Sequence, residues 1–150
     1  MKRMSRYGLS VALMFGAKPA LAKPDNTLTG IRISQSADDH TRVVFDLTGE
    51  FEHNLFTLAD PYRVVIDLKD TRKSDAVAIS RRTTNLMSGL RSASKDSGRL
   101  RVVLDLEGKV RPRSFALKPD GKSGHRLVVD LHATDLNPTP IKTNQQQRKQ

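Results

Sequence analysis

RVVFDL, the hexapeptide at residues 42–47, recurs in three close copies along this chain of 150 residues. In an extended chain, alternation places its second, fourth and sixth residues on one face and its first, third and fifth on the other. The first face is apolar in every copy, so each copy is predicted to be a β-strand with that face in the core. The other copies are RVVIDL at 63–68, RVVLDL at 101–106 and RLVVDL at 126–131.

The copies belong to a larger duplicated unit. Residues 30–42 correspond to residues 89–101 at an offset of 59, and the same offset matches FTL at 56–58 with FAL at 115–117. The correspondence breaks at residues 118–125, where the second copy is longer and contains Pro-Asp-Gly, which predicts a lengthened turn between two strands. The pattern indicates an internal duplication.

The two repeats, about residues 27–68 and 86–131, are each predicted to hold four strands separated by turn-forming Asp, Gly and Pro residues. We expect each repeat to form a four-stranded meander, and the two symmetrical sheets to pack as an all-β sandwich. Residues 69–86 are predicted to cross between the units, with a short helix near 79–85. The predicted strands are 30–34, 41–47, 53–58, 63–68, 89–93, 100–106, 114–117 and 126–132.

The first 22 residues have the three zones of a secretory signal peptide. Basic residues precede an apolar run at residues 9–15, and Ala20 and Ala22 supply small residues before a cleavage point predicted after Ala22. The run is too short to span a bilayer, which takes about 20 apolar residues, so no membrane span is expected after cleavage. The predicted location of the mature chain is the periplasm.

The domain predicted after cleavage covers residues 23–132. Residues 133–150 lack hydrophobic periodicity and contain Asn-Pro-Thr-Pro and a Gln-rich end, so they are predicted to be a disordered linker or tail. The chain has no Cys, which excludes a disulfide scaffold, a thiolate zinc site and a Cys nucleophile.

The charge balance is basic, with 26 Lys and Arg against 16 Asp and Glu, although four of the basic residues lie in the predicted signal. Nucleic acid is not expected as a partner. An exported protein rarely meets it, and the mature chain offers only Tyr62 and four Phe for base stacking.

Each hexapeptide carries an Arg at its start and an Asp near its end, both on the outward face. Two interpretations are open. The first is a solvated face of cross-strand Arg–Asp pairs, each contributing a few tenths to about 1 kcal/mol. The second is a shallow basic surface whose guanidinium groups grip carboxylate ligands. The candidate ligand-binding residues are Arg32, Arg42, Arg63, Arg91, Arg101 and Arg126.

No catalytic or metal site is predicted. The strand aspartates lie beside arginines within strands, unlike the paired carboxylates on turns of an aspartic protease. The histidines, which lack a metal-site spacing such as H-E-x-x-H, are His40, His53, His125 and His132. We therefore expect no cofactor and no enzymatic activity.

The duplicated pattern resembles the AMIN domain, the N-terminal localisation domain of periplasmic N-acetylmuramoyl-L-alanine amidases, which has relatives in type IV pilus secretins. The resemblance is carried by TGIR at 29–32, by the hexapeptide from Arg42, and by the L-x-x-P-x-R-x-V-x-D-L element from Leu58 to Leu68. It implies two symmetrical four-stranded sheets, peptidoglycan binding, and recruitment of an amidase to the division septum. The family's zinc amidase domain does not occur within these residues, so the chain is not expected to hydrolyse the wall.

Two functions remain open at this point. The first is a peptidoglycan-binding targeting domain whose basic surface meets the carboxylates of stem peptides. The second is a protein-interaction module that docks on a divisome or secretin partner through a sheet edge or face. Glycan stacking has little support, because the mature chain has no Trp and one Tyr.

Overall fold

The computed structural model describes residues 26–78 and 83–134, and within these ranges the chain forms nine β-strands. They are β1 (Asn26–Ala37), β2 (His40–Leu47), β3 (His53–Leu58), β4 (Arg63–Leu68), β5 (Thr71–Lys73), β6 (Met87–Lys95), β7 (Arg99–Leu106), β8 (Val110–Leu117) and β9 (His125–Ala133). The predicted signal peptide and all but the first two residues of the predicted tail lie outside the described residues. Within those ranges, no helix has the length and apolarity needed to cross a membrane.

The strands form two sheets. Sheet A has the order β5-β1-β2-β9-β8 and sheet B the order β3-β4-β7-β6. Neighbouring strands are antiparallel, except that β1 and β5 are parallel. Buried apolar residues from both sheets belong to one cluster, so the prediction of an all-β sandwich of two sheets is confirmed.

The expectation that each repeat builds its own sheet is wrong. Sheet A combines the β1–β2 hairpin of the first repeat with the β8–β9 hairpin of the second, and sheet B combines β3–β4 with β6–β7. In a simple meander, the fourth strand of each repeat would lie at a sheet edge, although it is one of the four apolar hexapeptides. The observed exchange places all four hexapeptide strands at the sheet centres, where burial of apolar surface is greatest.

The hexapeptide strands alternate as predicted. Val43, Phe45 and Leu47 of β2 are buried in the core, whereas Arg42 is exposed on the opposite face. Each large apolar side chain buried in this way contributes about 1.5–3 kcal/mol to folding. The spacing of the apolar residues therefore determines which face of each strand points outward.

Six strands begin earlier than predicted, β1 and β8 by four residues each, and one strand was not predicted. β1 begins at Asn26, because the buried Leu28 extends its core face and the edge pairs with β5. The three polar residues of β5 gave no alternation from which a strand could be predicted in the crossover. β8 begins at Val110 and includes Pro112, which an edge strand tolerates because one side of its backbone needs no partner.

The crossover shows no helix in its described part. Thr83, Thr84 and Asn85 are non-helical, and the rest of the predicted helical segment, 79–82, lies outside the described residues. The Thr84 side chain instead accepts hydrogen bonds from the backbone amides of Leu86 and Met87, which leads the chain directly into β6.

Candidate functional site

The six arginines predicted to bind a ligand lie on two different surfaces. Three lie on the outer face of sheet A, which we call face A: Arg32, Arg42 and Arg126. Three lie on the outer face of sheet B, which we call face B: Arg63, Arg91 and Arg101. Because the core lies between the sheets, the predicted basic surface is divided into two groups of three.

The centre of each face carries the same Arg–Asp–Phe arrangement. On face A, Arg42 lies opposite Asp130 in register, and its Nε and Nη2 donate to the two carboxylate oxygens at 2.7 and 2.8 Å. The guanidinium carbon lies 6.0 Å from the ring centroid of Phe115, within cation–π range. The duplication repeats this arrangement on face B.

On face B, Arg101 lies opposite Asp67 and makes the same two hydrogen bonds, at 2.7 and 2.8 Å. Its guanidinium carbon lies 5.8 Å from the ring centroid of Phe56. The carboxylates are well covered, with side chains 8% exposed for Asp67 and 11% for Asp130. These pairs are therefore structural contacts that position the outward face of each sheet.

Hydrogen bonds to these carboxylates shift their acidity. The bonds from Arg101 lower the pKa of Asp67, and those from Arg42 lower the pKa of Asp130, in both cases against the opposing effect of burial. Hydrogen bonds to the same carboxylates raise the pKa of Arg101 and Arg42. Both pairs are therefore fully ionised at neutral pH.

A second, more exposed pair flanks each central arrangement. Arg32 makes a two-pronged contact with Asp46 at 3.0 and 2.7 Å, and Arg91 does the same with Asp105 at 3.0 and 3.1 Å. Gly30 leaves room for the first contact, because a Cβ at this position would lie a tight 3.0 Å from Asp46 Oδ2, whereas a Cβ at Gly89 would lie at an ordinary 3.8 Å from Asp105 Oδ2.

Arg126 and Arg63 lie opposite Asp46 and Asp105 in register, but those carboxylates are held by other arginines. Arg126 instead contacts Asp120 at 2.8 Å, a residue of the predicted lengthened turn, which the structure confirms between β8 and β9. The shorter turn of the first repeat has no equivalent carboxylate contact. Among the described residues, Arg63 Nε therefore donates only to the Pro61 carbonyl, at 3.2 Å.

Two arginines that are not among the predicted site residues, Arg111 and Arg113, lie on face A along the edge strand β8. Within the described ranges neither is within ion-pair distance of a carboxylate. With His132 they line an open depression of about 290 Å³. The alternation R-x-R-x-F-x-L at 111–117 was the available signal, but Pro112 led us to start the strand after it.

Two histidines from different strands also meet on face A. The imidazole rings of His40 and His132 stack with centroids 4.4 Å apart, beside Asp130. His40 Nε2 lies 3.3 Å from Asp130 Oδ1, but it is buried and lacks hydrogen-bond alignment. Imidazole and carboxylate groups bind transition metals. Here, however, Arg42 occupies both carboxylate oxygens and brings a positive charge next to any cation, so the arrangement disfavours a metal.

Face B has a larger depression of about 500 Å³, with a different charge pattern. It is lined by residues of both signs, among them Glu52, Asp67, Lys69 and Arg99. Lys69 contacts Glu52 at 3.2 Å and Arg99 contacts Asp67 at 3.6 Å. The cations here are neutralised by neighbouring acids, in contrast to Arg111 and Arg113 on face A.

The described residues present two shallow, charged outer faces on a β-sandwich. This combination defines a small β-sandwich domain built from a duplicated set of hairpins. The family profile of the AMIN domain matches residues 30–131, and the chain belongs to this family. The resemblance inferred from the hexapeptides is confirmed.

Curated relatives of the chain include two amidases. The N-acetylmuramoyl-L-alanine amidase AmiC of Escherichia coli is 30% identical over 100 residues, which is 64% of this chain and 24% of the relative. The protein of the same name from Neisseria meningitidis is 28% identical over 97 residues, covering 62% of this chain and 23% of the relative. The chain spans about a quarter of the length of these relatives.

Proposed function

We propose that this chain is a non-catalytic, peptidoglycan-binding domain that directs an N-acetylmuramoyl-L-alanine amidase to the division septum in the periplasm. In this role it acts in cell-wall remodelling and daughter-cell separation. The observation that carries the proposal is the match to the AMIN family over residues 30–131, in the region shared with two amidases. The proposal assigns attachment to this region and hydrolysis to a separate catalytic domain.

The chemistry of the two faces supports this role. Stem peptides present carboxylates, and guanidinium groups form the strongest side-chain hydrogen bonds to carboxylates. Arg111, Arg113 and Arg63 make no ion pair with a carboxylate in the described part of the chain, so they are available to a ligand. After removal of the predicted signal peptide, 22 Lys and Arg remain against 16 Asp and Glu, and this net charge of +6 favours encounter with an acidic polymer.

The test is co-sedimentation of the purified chain with purified peptidoglycan sacculi over a series of salt concentrations. We expect saturable binding that survives moderate salt, and no release of stem peptide when zinc is added. A basic globular protein of similar net charge is the control, and its binding should disappear as salt rises. If the chain fails to sediment at low salt, or behaves as the control does, the proposal is wrong.

The second candidate function is a protein-interaction module of a cell-envelope assembly, such as a divisome or secretin complex. The observation that favours it is an exposed apolar spot at the β3–β4 turn, where Leu58 and Tyr62 are each 40% exposed beside a depression of about 200 Å³. Exposed apolar side chains of this size are typical of protein contacts. This function predicts weak sacculus binding together with a saturable protein partner that is lost on Leu58→Ser.

A further inference from the structure

The end of face A distal to the β8–β9 turn contains two rows of side chains that run across β2, β9 and β8. His40, His132 and Arg111 lie side by side in register in one row, and Arg42, Asp130 and Arg113 form the next. The second row holds two arginines and a single aspartate. Arg42 takes both oxygens of Asp130, so Arg113, on the other side of the same carboxylate, has no ion-pair partner in the described residues.

The corresponding positions on face B have a different composition. Glu52 and Asn54 stand where face A has Arg111 and Arg113, at the offset of 59, and Lys69 follows its hexapeptide as His132 follows the last copy. Asn54, Asp67 and Arg101 lie side by side in register. Three cations of this end of face B have an acid within ion-pair distance, Lys69 with Glu52 and both Arg99 and Arg101 with Asp67, whereas Lys95, opposite Arg99 in register, has none in the described residues.

We propose that Arg111, Arg113 and His132 form an anion subsite on face A that holds a carboxylate of a cell-wall stem peptide. This inference rests on the proposed function and adds to it the face, the residues and the ligand group. The guanidinium groups supply forked donors that match a planar carboxylate, and the depression of about 290 Å³ is lined by these three residues. Phe115, two residues from Arg113 and 40% exposed, offers an apolar surface to the adjoining part of the peptide.

The decisive variant is Arg111→Glu combined with Arg113→Asn, which places the face B residues on face A. Its matched control is Lys95→Glu combined with Lys122→Asn, which removes the same net charge. Both lysines are exposed and make no ion pair in the described part of the chain, one on β6 and the other in the β8–β9 turn. All four positions are on the surface, and equal urea midpoints for unfolding verify that each variant folds.

Binding is measured by titration with a disaccharide–tetrapeptide released from peptidoglycan, and with the same compound after amidation of its carboxylates. We expect the Arg111/Arg113 variant to bind the free acid about tenfold or more weakly, and the lysine control to change affinity by less than about twofold. We also expect the amidated compound to bind the unaltered chain as weakly as the free acid binds the arginine variant. Excess inorganic phosphate tests whether any anion suffices, and we expect it to compete poorly.

The outcomes distinguish failure of the subsite on face A from failure of the proposed peptidoglycan-binding function. If the unaltered chain binds sacculi but the arginine variant binds the free acid normally, the subsite is wrong and the proposed function stands. If both double variants bind the free acid equally weakly, the loss of affinity reflects net charge alone and the subsite is wrong. The subsite is also wrong if the unaltered chain binds the amidated compound as tightly as the free acid. Strong competition by phosphate overturns the carboxylate assignment. If the unaltered chain does not bind sacculi at all, the proposed function itself fails.

Discussion

Face A and face B are built from duplicated strands, and the comparison between them distinguishes residues that maintain the fold from residues that are free to serve recognition. Both have a two-pronged Arg–Asp pair next to a phenylalanine at the centre, and a more exposed Arg–Asp pair beside it. They differ at one end, where face A has a stacked histidine pair and two arginines without an ion pair in the described residues, whereas on face B Lys69 and Arg99 are paired with acids and Lys95 is not.

The shared features are explained by strand pairing alone. Arg42 meets Asp130 and Arg101 meets Asp67 because the hexapeptides pair antiparallel, which brings the start of one copy opposite the end of another. The same register also places Arg126 opposite Asp46 and Arg63 opposite Asp105, but Arg32 and Arg91 hold those two carboxylates. A ligand is not needed to account for these pairs, whereas nothing within the described structure accounts for Arg111 and Arg113.

The largest expected effects come from the core, where the two sheets should behave alike. Phe45→Ala in sheet A and Leu104→Ala in sheet B affect corresponding, fully buried positions, and each should lower the free energy of unfolding by about 2–5 kcal/mol. Because each repeat contributes strands to both sheets, urea unfolding should remain a single transition in both variants. Phe115→Ala, at an exposed position, is the control and should cost at most about 1 kcal/mol.

Two separate unfolding steps in either core variant would contradict this expectation. They would mean that one sheet is stable without the other, as two independent meanders would be. The exchange of hairpins between the repeats would then contribute little to the cooperativity of the domain.

The sequence predicted the strands well because their apolar residues alternate, and this alternation is fixed by burial on one face. It did not predict which hairpins share a sheet, since the alternation fixes which face of each strand is buried and does not say which strands lie at the sheet edges. It also left the partner of each arginine undetermined. Arg42 could be placed on the outward face, but its pairing with Asp130 depends on the register between β2 and β9, which lie far apart in the sequence.

The site itself was only partly predictable. The hexapeptides drew attention to the arginines that recur, and most of these are engaged with carboxylates in the folded chain. Arg111 and Arg113 occur once, in an edge strand that contains Pro112, and their corresponding residues in the first repeat are Glu52 and Asn54. The positions at which the two repeats differ therefore indicate the arginines that are available to a ligand better than the repeated positions do.

Removing one arginine of an ion pair should have an intermediate effect on the free energy of unfolding. On both faces the effect should be larger where the carboxylate partner is more buried. Arg101→Ala leaves Asp67, which is 8% exposed, without its main hydrogen-bond donor, and it should lower the free energy of unfolding by about 1–3 kcal/mol. Arg91→Ala affects Asp105, which is 33% exposed, and should cost at most about 1 kcal/mol. Arg42→Ala and Arg32→Ala should show the same order in sheet A. Urea midpoints measure all four, and an Arg91 cost equal to that of Arg101 would refute the ranking.

The smallest effect is a dependence on acidity that should be shared by both faces. The pKa of Asp67 and of Asp130 is lowered in the folded chain by the hydrogen bonds from Arg101 and Arg42, relative to an ordinary value of 3.8. The unfolded chain therefore binds protons first as the pH falls, so the stability that these groups contribute is complete well above 3.8 and is lost as the pH falls through and below that value.

Asp67→Asn and Asp130→Asn should each start less stable at pH 7 and lose less stability than the unaltered chain between about pH 5 and 3. Urea midpoints at several pH values measure the slope, and Asp96→Asn, an exposed position without an ion pair in the described part, serves as the control. If the urea midpoints of both variants depend on pH to the same reduced extent, the central Arg–Asp pair contributes equally in both sheets. If this pH dependence is reduced in only one variant, the two faces already differ at the central Arg–Asp pair, and the difference at Arg111 and Arg113 is one consequence of that.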